Sequence, residues 1–432
     1  MTSHRRPLPA TPFRSDRFGA PIPARAGAAL AAAGVAALIA ALAGCASSVS
    51  LDPSTPVAPA PDRAAASAPA VSQAPSAPGN IASSPGTADE AGEPIAAPVT
   101  NGNAATATLP PAPEPGSVPY AERADVQAWI QDVARRTDLP VAWLQAAFAE
   151  ARYQPNVARF ILPAPAGTPK NWAAYRARFI EPKRIKAGVA FWHDNEAWLQ
   201  QAEREYGVPP EIIVGLLGVE TIYGRDMGRF RILDALVTLG FDFPAHAPRD
   251  RSAYFRNELE QYYLLCRDIH ANPLEITSSY AGALGLPQFM PSSWRKYAVD
   301  FDGDGRVDLI HSPADAIGSV AHYLAEFGWT RDMANYYSVR ALPPAGSNLD
   351  RLLAPDIVPS FTAAEMQQLG AQLSASGQHH TGLLALVKLE NGADTPTYVA
   401  GTDNFYTITR YNQSSPYAMA VIELGKAVAQ AR

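Results

Sequence analysis

A carboxylic acid that must release a proton near neutral pH needs surroundings that disfavour its charge. Glu220 is the acid of this chain best placed to have them. It lies near the end of Pro209-Pro210-Glu211-Ile212-Ile213-Val214-Gly215-Leu216-Leu217-Gly218-Val219-Glu220-Thr221-Ile222-Tyr223-Gly224. The prolines pin a helix start and Gly224 supplies a stop. Ile213, Leu216, Leu217 and Glu220 then share one face by 3–4 spacing. The carboxyl stands at the C-terminal end of an apolar stripe, where the helix dipole and partial burial both raise its pKa. That is what general-acid work requires. The bland alternative is a helix-end Glu paired with Arg225 or Arg231. Ordinary glycoside hydrolysis needs a second carboxylate. Asp226 and Asp234 are near in sequence, but no motif or apolar setting marks either.

A second constellation is Asp300-Phe301-Asp302-Gly303-Asp304-Gly305-Arg306-Val307-Asp308. Carboxylates at positions 1, 3 and 5, Gly at 6 and a backbone carbonyl at 7 match the first half of an EF-hand loop. Hard oxygens around one point suit calcium in a structural role. Position 12 should be a bidentate Glu, and here it is His311. Asp315 is the next acid that could close the site, although Ser312-Pro313-Ala314-Asp315 also reads as a helix cap. An Asp/Gly turn without metal is the plain alternative for the whole loop.

A third set could line a cleft. Ser279-Tyr280-Ala281-Gly282-Ala283-Leu284-Gly285-Leu286-Pro287-Gln288-Phe289-Met290-Pro291 is Gly-rich, which permits close backbone approach to a ligand. Ser279 and Gln288 offer hydrogen bonds, and Tyr406, Tyr411, Asn412 and Tyr417 add aromatics beside an amide. Such groups bind sugars and many other ligands, while core packing is the ordinary fate of any one Tyr.

The elements that must position these residues are mostly helical. Val126, Trp129, Ile130 and Val133 recur at i, i+3, i+4, i+7, and Val141, Leu144 and Phe148 continue the pattern. Further helices are predicted over about 170–205, 209–223, 251–270 and 313–327. Thr362 and Glu365 start a short one. The runs 383–389, 395–399 and 405–410 read as strands. The expected fold is mainly α with a small β-rich insertion near 340–402.

Composition divides the chain of 432 residues. No Phe, Trp or Tyr occurs between Phe18 and Tyr120, while 15 Pro fall between Pro53 and Pro119. That stretch cannot build a core. The 37 aromatics from Tyr120 onward can. Residues 1–25 hold five Arg against one acid, and the uncharged run Ala26–Ala43 follows. This is a secretory signal pattern, too short and Ala-rich for a good permanent span. Leu42-Ala43-Gly44-Cys45 resembles the lipobox of bacterial lipoproteins. We therefore expect a signal peptide over 1–44, lipid on Cys45, a disordered Pro/Ala-rich tether over 45–119 and a folded region over 120–432. Without residues 1–44 the chain has 30 basic and 40 acidic residues, a formal charge of −10. Such a balance excludes a basic nucleic-acid footprint. Cys266, in an apolar run, reads as a buried structural thiol.

Three segments together resemble one family. Gly218-Val219-Glu220-Thr221-x-Tyr223-Gly224, Ala281-Gly282-Ala283-x-Gly285-x-x-Gln288-Phe289-Met290-Pro291-Ser292-Ser293 and Asn404-Phe405-Tyr406-x-Ile408-x-Arg410-Tyr411-Asn412 are similar to the membrane-bound lytic murein transglycosylase B family. The resemblance runs from about Tyr120 onward. It implies a goose-lysozyme-like core with accessory helical and β parts. It also implies cleavage of the β-1,4 bond between N-acetylmuramic acid and N-acetylglucosamine without water, giving a 1,6-anhydromuramoyl product. Glu220 would be the single catalytic acid and base. Ser279, Gln288, Tyr323, Tyr411, Asn412, Tyr417 and Tyr175 would hold the glycan. Asp300, Asp302, Asp304, the Arg306 carbonyl and Asp315 would hold a structural calcium ion, and catalysis itself would need no cofactor. Pro287 stands where the family pattern has Gly, and the acidic loop is one residue longer. The implied location is the periplasm, most naturally on the outer membrane through Cys45, with peptidoglycan strands as partner. Wall-synthesis enzymes remain an open class of protein partner. A hydrolytic muramidase and a non-catalytic murein-binding scaffold are the competing readings.

Overall fold

Two glycines set the centre of the fold. The computed structural model describes residues 114–165 and 167–432; the signal, Cys45 and most of the expected tether lie outside them. Helices α1 (Ala124–Arg136), α2 (Val141–Glu150), α3 (Pro155–Phe160), α4 (Trp172–Phe179), α5 (Pro182–Asp194), α6 (Glu196–Tyr206) and α7 (Pro210–Thr221) come first. Strand β1 (Phe230–Arg231), α8 (Ile232–Phe241), α9 (Ser252–Asp268), β2 (Thr277–Ser278), α10 (Pro291–Tyr297) and α11 (Pro313–Glu326) follow. Then come β3 (Tyr336–Ala341), α12 (Ser347–Leu353), α13 (Ala363–Gln368), β4 (Gln372–Leu373), α14 (Ala375–Gln378), β5 (Ala385–Asn391) and β6 (Asp394–Gly401). Helices α15 (Asp403–Thr409) and α16 (Ser415–Gln430) complete the chain.

Helices α7 and α16 cross in close contact. A Cβ on Gly215 would stand 2.1 Å from the Val421 carbonyl oxygen, and one on Gly425 would stand 1.9 Å from that of Glu211. Only Gly permits this approach. The antiparallel register that sets Glu211 against Gly425 and Gly215 against Val421 carries Glu220 to Tyr417. Helix α7 is buried on nearly every side from Pro210 to Val219, not on the single stripe expected. A helix apolar all round belongs at the centre of a body, and α5, α6, α11 and α16 supply the cover.

The predicted helix over 170–205 is three helices. Glu181 breaks it, with its carboxylate accepting from the Lys183 and Arg184 N–H groups at 2.8 and 2.7 Å, and Pro182 then starts α5. Residues 405–410 are helix rather than strand. Thr402 caps α15 by accepting the Phe405 N–H, and Asn404, Phe405 and Ile408 are fully buried. The run imitated a strand by its β-branched and aromatic composition, and Phe405, Thr407, Ile408 and Thr409 are all buried.

The β-rich part is a four-stranded antiparallel sheet of order β4-β3-β6-β5. Its β5–β6 hairpin turns at Gly392-Ala393 between the paired Asn391 and Asp394, with Gly392 at φ +66° as such turns need. This part has its own apolar cluster, including Leu352, Phe361, Met366, Leu373 and Leu386. Thr362 and Glu365 form the expected capping box. At the other end of the described chain, a buried network fastens residues 120–125. Arg123 bonds Asp242 at 2.6 Å and Asp125 at 2.7 Å, and the Tyr120 hydroxyl donates to Asp242 at 2.5 Å.

Candidate active site

Glu220 sits one residue from the end of α7, partly covered, with its Oε1 accepting from the Tyr417 hydroxyl at 2.5 Å. Burial raises its pKa to about 7 against the lowering effect of the Tyr417 bond. Neither Arg225 nor Arg231 pairs with it. Arg231 is bonded to Asp234 at 2.6 Å. Asp234 also accepts the Arg152 N–H at 2.9 Å, so that acid is spent on structure.

A wall of tyrosines adjoins the carboxyl. The Tyr411 and Tyr417 rings stack 6.5 Å apart at 12°. Both phenols are pushed up, first by burial and then by the Glu220 charge. Tyr175 on α4 is pushed up for the same two reasons, which places it in electrostatic range of Glu220. The Tyr411 hydroxyl donates to the Pro287 carbonyl. Tyr323 packs 4.9 Å from Tyr411 but is buried, and its hydroxyl is spent on the Arg410 carbonyl at 2.8 Å. It supports the wall and does not offer a free group. Asn412 is exposed, and among the described residues no hydrogen bond ties its amide to the tyrosines.

The Gly-rich segment folds into a tight turn. Leu284 and Phe289 bond each other in both directions at 2.8 and 3.0 Å, enclosing Gly285, Leu286, Pro287 and Gln288. Gly285 lies at φ +66°, and a Cβ there would be 2.3 Å from the Leu309 carbonyl oxygen. Gln288 is also left-handed at φ +53°, a rare state for its type. Its Nε2 donates to the Met227 and Gly285 carbonyls at 3.3 and 3.0 Å, leaving Oε1 without a protein partner. The Ser279 hydroxyl accepts the Ala283 N–H at 3.1 Å.

Two site features escaped the sequence reading. The Thr221 hydroxyl donates to the Leu286 carbonyl at 2.9 Å and accepts the Gly224 N–H at 3.0 Å. It ties the acid-bearing helix to the Gly-rich turn. A Thr beside Glu220 was the only available signal. Arg184 reaches from α5 to the Gly218 carbonyl at 2.5 Å, and nothing in its neighbourhood of the sequence marked it.

In the acidic loop, ligand atoms of Asp300, Asp302 and Asp315 lie within 4.8 Å of one another. Asp315 is buried at the start of α11, and its two oxygens accept the Phe301 and Asp308 N–H groups at 2.8 and 2.7 Å. Among the described residues no cation pairs with any of the three. Oxygen-only donors with one carboxylate buried fit a hard cation such as calcium. Asp304, expected in the set, instead accepts the Arg306 N–H at 2.8 Å. His311 bonds Asp308 at 3.0 Å and does not close the loop.

Comparison with known proteins was made against this geometry. A family model described as the transglycosylase SLT domain matches residues 121–426. The chain belongs to the transglycosylase SLT domain family. This transglycosylase is 40% identical over 328 residues to membrane-bound lytic murein transglycosylase B of Escherichia coli K12, a match covering 72% of the chain and 85% of that protein. The Escherichia coli lytic transglycosylase Slt35, solved in complex with calcium, has a TM-score of 0.64 and 39% identity over 73% of this chain and 94% of its own. Soluble lytic transglycosylase SltB1 of Pseudomonas aeruginosa has a TM-score of 0.64 and 38% identity over 71% of this chain and 98% of its own. The transglycosylase shares their lysozyme-like fold. Among its described residues no helix is long and apolar enough to cross a membrane.

Proposed function

We propose that this enzyme, a lytic transglycosylase of peptidoglycan, cleaves the β-1,4 bond between N-acetylmuramic acid and N-acetylglucosamine with Glu220 as its one acid and base. Protonated Glu220 gives its proton to the glycosidic oxygen as the C1–O bond breaks. The resulting carboxylate then takes the proton of the muramoyl C6 hydroxyl as that oxygen bonds to C1. The product is a 1,6-anhydro ring, the proton is back on Glu220, and no water is consumed. The observation that carries this reading is a carboxyl raised to about 7 by burial and held by Tyr417, with no second carboxylate among the causes of its shift and Asp234 spent on Arg231 and Arg152. An acid of that pKa is poised for both proton transfers at neutral pH.

Gln288, Ser279, Tyr175 and Tyr411 are assigned to the glycan, with Tyr417 serving Glu220 directly and Tyr323 bracing Tyr411. Asn412 would act from the exposed rim. Asp300, Asp302 and Asp315 would hold calcium, whose part is to draw the loop onto α11. Residues 1–44 export the chain, Cys45 carries lipid, and 45–119 tether the catalytic region to the membrane, favouring the outer membrane of the periplasm. Support comes from the lipobox-like sequence and from a relative named as membrane-bound.

Mass spectrometry of purified murein after digestion tests the reaction. We expect anhydromuramoyl ends, and products one water heavier would refute the proposal in favour of a hydrolytic muramidase. Undiminished zymogram clearing by Glu220→Gln would refute the assigned residue.

A further inference from the structure

Glu220 is followed by an unusual stretch of backbone. Ile222, Tyr223 and Gly224 lie at φ +52°, +58° and +82°. Two of these are not Gly and one is β-branched, a combination that persists only where surroundings enforce it. The reversal changes the helix hydrogen bonds. The Ile222 and Tyr223 N–H groups both turn to the Leu217 carbonyl. Ile222 would ordinarily serve Gly218, whose carbonyl therefore loses its helical donor.

Arg184 takes that place. Its Nη1 donates to the Gly218 oxygen at 2.5 Å. The residue is 3% exposed, and among the described residues no carboxylate forms an ion pair with it. Its Nε is buried without a partner. Burial pushes the guanidinium below its ordinary range, opposed by the more distant charges of Glu181, Tyr223 and Asp226. A cation is seldom buried in this way unless it is needed. Here it meets the negative end of α7 and the Phe179 ring, 5.2 Å away. Tyr223 closes the other side. Its ring stacks on Phe191 at 5.1 Å, and a Cβ on Gly188 or Gly218 would lie 2.4 Å from its oxygen. That hydroxyl is also buried and unpaired.

We infer that Arg184 is a positioning residue for the reaction, fixing the last turn of α7 so that the Glu220 carboxyl stays aimed between Tyr417 and the bond to be cleaved. The inference rests on the catalytic assignment of Glu220. Arg184 holds a carbonyl two residues before the acid and compensates the helix end beneath it. Its effect on the acid is one of placement, since burial and the Tyr417 bond are what set the Glu220 pKa. The ionisable groups facing Glu220 are Tyr417 on α16, Tyr411 after α15 and Tyr175 on α4, and none of them supplies a cation.

The test compares kcat, KM and the pH profile of Arg184→Gln, Arg184→Lys and Glu220→Gln on solubilised murein. Arg184→Gln should lower kcat about 10- to 100-fold, with KM changed less than about twofold, and should leave the alkaline limb in place. Arg184→Lys keeps a buried donor but not the reach of the guanidinium, and should recover only part of the lost kcat, staying severalfold below the parent. A kcat for Arg184→Gln within about twofold of the parent, or a KM that rises as much as kcat falls, overturns the inference. If Arg184→Gln does not fold, Arg184→Lys decides: a kcat reduced severalfold with the parental limb supports it, and a parental kcat refutes it. An active Glu220→Gln sinks the catalytic assignment instead, whatever the Arg184 variants do.

Discussion

Replacing Glu220 with Gln should stabilise the protein, and only where the pH is high enough. The native carboxyl holds its proton up to about pH 7, whereas an unfolded Glu releases it near 4.5. Between those values the folded chain binds the extra proton, so its stability falls as pH rises. Below pH 4.5 both states are protonated and the penalty vanishes. Above pH 7 it is complete. The displacement from 4.5 to about 7 corresponds to about 3 kcal/mol against the charged native form. Gln has the shape of the neutral acid, can still accept the Tyr417 hydroxyl, and carries no such penalty. For a folded region of this size about 3 kcal/mol is worth about 6 °C in Tm; solvent reaching the partly covered carboxyl lowers this to about 4 °C. Thermal unfolding of the two proteins at pH 4, 6 and 8 checks it. The expected difference is near zero at pH 4 and greatest at pH 8, with murein cleavage lost throughout. A pH-independent difference, or a less stable variant at pH 8, would show that burial does not hold the proton on Glu220.

Tyr417→Phe removes the bond that lowers the Glu220 pKa, so the alkaline limb of kcat/KM should move above its parental position near pH 7 while kcat falls about tenfold; pH–rate profiles measure both. Chelation of calcium should lower Tm by several degrees, and Asp315→Asn should abolish that response without changing the product mass; an unchanged Tm in chelator removes the metal. Cys266 is 1% exposed, and burial pushes its thiol up to about 12. In a Cys45→Ala chain, thiol reagents should therefore find about one reactive thiol, and only after denaturant is added; reaction in the native state would contradict the packing.

The acid was legible because the sequence set a carboxyl into a long apolar run, and burial of that run supplies the raised pKa. Its partner was less so. Tyr417 lies 197 residues away, and the register that joins them is set by Gly215 and Gly425, whose meaning appears only when two backbones touch. Residues 405–410 misled for a related reason. Most of their β-branched and aromatic side chains are the buried residues of a short helix, and the Thr402 cap that decides the matter lies outside the aromatic run. The acidic loop was readable as far as Gly305. That Asp315 comes within reach of Asp300 and Asp302 depends on where α11 starts in space. Arg184 was invisible because a buried cation facing a carbonyl leaves no pattern in its own segment.

The clasp at the start of the described region has a mechanical side. Tyr120 and Arg123 fasten the chain to Asp242 at the end of α8, with both side chains of the Arg123–Asp242 pair 1% exposed. A pull along the N-terminal segment therefore enters the body at Asp242. The helix bearing Glu220 lies elsewhere, locked to α16 by its glycine contacts. Force applied to residues 120–125 and the placement of Glu220 thus fall on different helices, and a pull from the N-terminal side would be resisted at the clasp before it reached α7.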